Sequence, residues 1–141
     1  MEYLALSILG ENKPDLACEI TRTITQAECN ILDCHVNTIG IELAGTFLVA
    51  GTWNAIAKLE NQVQQLQKKY GFHYIGQRTK PQEYHGQFLP YLIYIIAPDK
   101  AGIIHEVNHF LTELGILIES LYSEVYSSRY ARTQMVSINI S

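Results

Sequence analysis

Charge is scarce in this chain, and no charge of one sign collects anywhere. Only 17% of the 141 residues are Asp, Glu, Lys or Arg, and the formal net charge is −4. Residues 1–80 carry seven Lys/Arg against eight Asp/Glu, and residues 81–141 carry three against six. A protein that grips nucleic acid displaces counterions with clustered cationic side chains, so this balance argues against direct nucleic-acid binding. Long apolar runs are missing too. The opening "MEYLALSILGENK" has no basic leader region, and its apolar stretch is too short for a signal core or a membrane span, so the expected location is cytoplasmic and no membrane partner is implied. Cysteine is sparse: Cys18, Cys29 and Cys34 are odd in number and form no CxxC pair. They read as reduced, packed thiols, and neither a disulfide framework nor a zinc site is expected. No GxGxxG, P-loop or nucleophile-elbow pattern occurs, so no cofactor and no catalytic residue is expected.

The 48% of hydrophobic residues is arranged with clear periods. "YLALSIL" (3–9) reads as a buried strand. Leu16, Ile20, Ile24 and Ala27 fall at helical spacing behind Pro14, a residue suited to a first helical turn. Strands follow at 30–41 and 46–51. A helix from Thr52 carries Ile56, Leu59, Val63 and Leu66 along one side, with Trp53 expected to anchor it on the sheet. "FHYIGQR" closes a βαββαβ order, the ferredoxin-like arrangement.

After a polar, turn-forming linker the pattern starts again at an offset of 87. "YLIYIIAPDKAGIIHEV" repeats "LALSILGENKPDLACEI". Ile8/Ile95, Lys13/Lys100, Glu19/Glu106, Thr25/Thr112 and Ile31/Ile118 match, and Thr46/Thr133 and Val49/Val136 continue the series without a gap. The expected organisation is α+β: a first unit over 1–79, a linker over 80–89, and a second unit over 90–141. That second unit carries βαββ (91–96, 102–114, 116–126, 132–140) and lacks its last helix and strand. An edge and an apolar face would then lie uncovered, and a chain that continues past Ser141 is the favoured expectation over cover by another chain.

"LGENKPDLACEITRTITQAECNILDCHV", "GTFLVAGTWNAIAKLE", the "CNI" junction and the "GTWNAI" opening of the second helix resemble tandem ACT-domain proteins. The similarity is greatest to the glycine cleavage system transcriptional repressor family. It is strong over 3–78 and at the level of pattern over 90–141. The resemblance implies a non-enzymatic regulator of glycine cleavage genes, with two ferredoxin-like units whose antiparallel sheets extend one another. It also implies action through a partner transcriptional activator, tuning by an amino acid such as glycine, and homo-oligomerisation. The alternative is an amino-acid-sensing ACT module serving another regulon or a metabolic enzyme.

In ligand-binding ACT domains the turn from first strand to first helix runs as a polar residue, a basic residue, Pro and Gly. A helix N-terminus offers unpaired N–H groups and a positive dipole end to a carboxylate. The candidate ligand residues here are Glu11, Asn12, Lys13, Pro14, Asp15 and Leu16 in the first turn, with Asn30 at the start of the next strand. In the second turn they are Asp99, Lys100, Ala101, Gly102 and Ile103. Asp15 stands where glycine is expected. Either it replaces a ligand as the dipole's resident anion, or it holds a ligand's ammonium group. The second turn keeps Gly102, but Ala101 replaces Pro and Leu117 replaces Asn30. "HEVNH" (105–109) matches HExxH; both imidazoles are expected on the outer face of a short helix, with no third ligand or cleft, so no metalloprotease chemistry follows and metal capture there would be adventitious. Tyr122, Tyr126 and Tyr130 are expected in half-buried sheet packing. His35, His73 and His85 show no partner for acid–base work.

Overall fold

The structure, a computed structural model, describes residues 1–82, 91–127 and 134–140, the last strand by its backbone. Two compact units divide the chain, residues 1–84 and 85–141.

The first unit runs β1 (Glu2–Glu11), α1 (Leu16–Gln26), β2 (Asn30–Ile39), β3 (Glu42–Gly51), α2 (Trp53–Tyr70) and β4 (His73–Thr79). Its antiparallel sheet has the order β2-β3-β1-β4. Alternation along β1 sends Leu4, Leu6 and Ile8 to the helix side, with Leu43, Phe47 and Val49 beside them on β3. Leu16, Ile20 and Ile24 of α1 and Ala55, Ile56, Leu59 and Val63 of α2 close over that side, and Phe72 fills the space where α2 hands over to β4. The register slips between Ile31 and Asp33, so Leu32 sits in a bulge of the β2 edge strand. Helix α2 has both caps. Thr52 Oγ1 accepts from Ala55 N at 3.2 Å, and Gly71 ends the helix at φ 76°.

Trp53 does not anchor α2. It is 64% exposed in the first turn, ahead of the buried stripe that begins at Ala55. Gly51 makes the close approach instead, because a Cβ there would lie 3.0 Å from Cys29 Sγ and 3.3 Å from Ala55 Cβ. Of the three thiols only Cys29 is packed, and burial pushes its pKa up; Cys18 and Cys34 are exposed.

The second unit comprises β5 (Ile93–Pro98), α3 (Ile103–Glu113), β6 (Leu121–Ser127) and β7 (Gln134–Ile140), with sheet order β5-β7-β6. Leu111 is its fully buried side chain among the described residues, packed on Ile93, Ile95, Ala97, Ile103, Val107 and Ile118. Tyr122 is 53% exposed, more open than half-buried packing requires, and Tyr126 is 38% exposed. Tyr130, His85, Thr133 and most of the expected linker fall outside the described residues.

The duplication extends to individual hydrogen bonds. Around α1, Leu16 N donates to Lys13 O, Glu19 N to Asp15 O, Ala27 N to Thr23 O, Glu28 N to Thr25 O and Cys29 N to Ile24 O. Around α3, Ile103 N donates to Lys100 O, Glu106 N to Gly102 O, Leu114 N to Phe110 O, Gly115 N to Thr112 O and Ile116 N to Leu111 O, every bond at the same offset. Glu28 at φ 63° and Gly115 at φ 73° are the matching left-handed residues behind the two helices.

The offset does not hold through the last strand. Ile8 faces Gly45, so an unbroken repeat would set Ile95 opposite residue 132; Ile95 faces Ile138. Likewise Val36 faces Gly45, while Ser123 faces Ile138. Strand β7 therefore lies six residues later against both neighbours. Val136 corresponds to Leu43, not to Val49. Strand β6 starts at Leu121, which pairs with Ile140, and not near 116.

Candidate functional site

The first turn leaves β1 at Glu11, which faces Glu42 in the sheet register. Asn12 N donates to Ile41 O at 3.1 Å and Asn12 Nδ2 to Thr38 Oγ1 at 3.4 Å, so this residue is docked on the β2–β3 hairpin. Lys13 reaches the far end of α2. Its Nζ donates to Tyr70 O at 3.1 Å and lies 5.9 Å from the Tyr70 ring centroid, with Lys69 Nζ at 5.4 Å from the same ring. A cation beside helix C-terminal carbonyls is favoured by the macrodipole.

Asp15 holds the N-cap position of α1 at φ −102° and ψ −1°, a right-handed conformation that any residue adopts, and its side chain makes no cap hydrogen bond. The carboxylate points to α2 instead. Tyr70 OH donates to Asp15 Oδ2 at 2.7 Å. That donation, with Lys69 and Lys13 nearby, holds the Asp15 pKa below the ordinary carboxylate value. The same bond pushes Tyr70 up to about 12, since ionising the phenol would destroy the donor and set two anions together. Lys13 and Asp15 thus converge on Tyr70. Leu16 is core and contributes only backbone to the turn. Pro14 is exposed.

Asn30 is not brought to this cluster within the unit. It faces Ala50, which faces Tyr3, whereas the turn springs from Glu11 at the other end of β1. Eight residues of strand separate the two ends, roughly 26 Å at ~3.3 Å per residue.

Gly10 precedes the turn for a packing reason. A Cβ there would sit 2.5 Å from Phe72 Cβ and 2.9 Å from Phe72 Cα, so the core sets this glycine. Its counterpart in the second unit is Ala97.

The second turn is built differently. Gly102 takes φ 83°, and a Cβ added there would meet nothing within 4 Å. Lys100, the counterpart of Lys13, folds onto its own helix and reaches Glu106 Oε1 at 3.2 Å, both side chains being exposed. Asp99 and Ala101 are exposed, and Ile103 turns its side chain towards Leu111. The first turn is tied to a neighbouring helix; the second is open around its glycine.

His105 and His109 stack on the exposed side of α3 with ring centroids 6.0 Å apart, and His109 Nε2 is 3.0 Å from Glu113 Oε1. His35 is 3.3 Å from Asp33 and His73 is exposed. Among the described residues no group of three or more His, Cys, Asp or Glu side chains is placed to hold a metal ion. No helix of the described residues is long and apolar enough to cross a membrane.

Sequence reasoning missed Tyr70. The only available signal was an aromatic residue one position before the Gly71 that ends α2, and nothing in its spacing pointed to a turn 55 residues away.

A βαββαβ sandwich with a polar turn fastened at one end of its sheet, followed by a partial second copy, defines a ferredoxin-like module. The chain belongs to the ACT domain family, whose model matches residues 2–74. Over 59 residues it is 36% identical to the glycine cleavage system transcriptional repressor of Escherichia coli (strain K12), a match covering 42% of this chain and 31% of that protein. The repressor of the same name from Shigella flexneri matches equally. The aligned segment is thus under a third of these relatives' length. In fold the chain is similar to a crystal structure named as a candidate glycine cleavage system transcriptional repressor, with TM-score 0.74 and 24% identity over 99% of this chain and 79% of that one. An unknown protein from Galdieria sulphuraria gives TM-score 0.71 and 18% identity, covering 99% and 80%.

Proposed function

We propose that the chain is a non-enzymatic cytoplasmic regulator that lowers expression of glycine cleavage genes by contact with a partner transcriptional activator, and that an amino acid such as glycine tunes that contact. The observation that carries this reading is the 36% identity to the named repressors over 59 residues. The low, slightly acidic charge supports action through a protein over action on DNA. Within this reading the second unit is an ACT unit represented by its first helix and three strands, and the chain self-associates. The two turns divide the work. Tyr70 closes the first, so amino-acid binding falls to the second, where Gly102 leaves space and the α3 N-terminus offers its N–H groups to a carboxylate.

The test is a reporter of glycine cleavage gene expression in cells lacking the endogenous repressor. Restored repression on supplying this chain, with loss of repression when the activator is also removed, is the expected result. Unchanged reporter output from a folded, expressed chain sinks the proposal. A thermal-shift panel of amino acids tests the tuning. A ligand at 100-fold its dissociation constant adds about 2.7 kcal/mol of stability, and Gly102→Val should abolish the shift while Asp15→Ala leaves it in place.

A further inference from the structure

The side of the first sheet away from the helices carries a depression of about 310 Å³, and its cause is visible in the strand register. Two adjacent cross-strand rows build it. One runs His35, Thr46, Ser7, Ile75 and the other Asp33, Leu48, Ala5, Gln77, from β2 to β4. Of the two inner strands, β1 supplies the two small residues, Ala5 and Ser7, while β2 and β4 supply longer side chains at the rims. The hollow is thus written into residue size. Leu92 and Tyr94 occupy the counterpart positions in the second unit, so the duplicate lacks the small pair that makes the hollow.

Its chemistry is one-sided. The floor and one rim are apolar, from Ala5, Leu48 and Ile75. The polar residues among its lining are Ser7 and Thr46, which carry hydroxyl oxygens, Gln77, which carries an amide oxygen, Asp33, which carries a carboxylate, and His35; neither Lys nor Arg lines it. Asp33 supplies the carboxylate of this lining, with His35 Nε2 3.3 Å from its Oδ1. An anion would meet acceptors and a carboxylate with no fixed cation. A primary ammonium has three donors for those oxygens, and an apolar body attached to it would cover Ala5, Leu48 and Ile75.

We propose that this depression binds a small organic amine, a protonated primary ammonium on an apolar body of about ten heavy atoms, with Asp33 and Thr46 taking the ammonium and Ile75 walling the body. The site is separate from the strand–helix turns and does not depend on the regulatory reading.

The probe is phenethylammonium, titrated into the full chain with amide chemical shifts as readout. Binding with a dissociation constant about millimolar, the range open to so small a ligand, should move the amides of Ser7, Thr46 and Leu48 before those of α1 and α2. Phenylpropanoate, the matching anion, should bind about tenfold more weakly or not at all. Asp33→Asn should weaken the amine about tenfold, and Ser7→Leu should fill the hollow and abolish the shifts. A thermal melt of each variant separates loss of the site from loss of the fold. Asp33, on an exposed edge strand, can change without cost to the core. Equal shifts with the anion, shifts unaffected by Asp33→Asn, or no shift because a second copy of the chain covers this face would each overturn the proposal.

Discussion

At the scale of single residues, the first turn is governed by Tyr70. Asp15 sits at a helix N-terminus, yet its partner is a phenol and not the helix's own N–H groups. The turn's own residues were legible in the sequence: Asn12, Lys13, Pro14 and Asp15 stand where reading placed them. Their orientation was not, because a hydrogen bond across 55 residues leaves no local mark. The pH consequences follow from the directions of the two shifts. Asp15 is depressed, so its contribution is present above the ordinary carboxylate pKa and is lost as pH falls through the folded value. Tyr70 is raised, so its contribution is full below the ordinary phenol value and is lost as pH rises through about 12. Spectrophotometric titration of the phenols should show one group near 12, and Asp15→Asn should return it towards about 10. A second residue-scale prediction concerns Glu28. It holds φ 63°, which costs an L-residue roughly 1–2 kcal/mol, and glycine occupies the same place in the duplicate. Glu28→Gly should raise stability by about 0.5–1 kcal/mol in urea denaturation after glycine's own entropy is subtracted, and Gly115→Ala should lower it by about 1 kcal/mol.

At the scale of elements, every helix and strand of the first unit was visible from periodicity, and its edges moved by a few residues. Strand β3 begins at Glu42 and not at 46 because the Gly40–Ile41 turn is tight enough for pairing to start at once. The displaced strand β7 was invisible for a physical reason. Side chains alternate with period two, so a slip of six residues leaves every inward position inward, and the apolar pattern reads the same before and after. Only hydrogen-bond pairing fixes the register. Gly10 shows the opposite case, a residue whose role belongs to the contact between β1 and the start of β4. Gly10→Ala would drive a methyl into the Phe72 backbone, and a loss of about 1–3 kcal/mol is expected in chemical denaturation, with far-ultraviolet dichroism unchanged at low denaturant.

At the scale of the whole chain, the two units are unequal partners. The first has a two-helix cover and a continuous core from Leu4 to Phe72; the second gathers its described apolar contacts around Leu111. Local stability follows the apolar surface removed from water. Amide exchange at neutral pH should therefore release β5 and β6 well before β1 and β3, and equal protection of the two sheets would contradict this division. The repeat itself was legible through identities such as Lys13/Lys100 and Glu19/Glu106. The different fates of those lysines were not, because what Lys13 finds is the end of α2, and the described part of the second unit offers Lys100 its own helix instead.

The bond between Tyr70 and Asp15 also has a place in time. It closes a loop of 55 residues that contains α1, both strands of the hairpin and nearly all of α2, so it cannot form until those elements have found one another. It is a late event of folding and an early one of unfolding. Tyr70→Phe should accordingly speed the unfolding limb of a chevron plot and leave the refolding limb where it was, which makes this one hydroxyl a brake on the release of the turn.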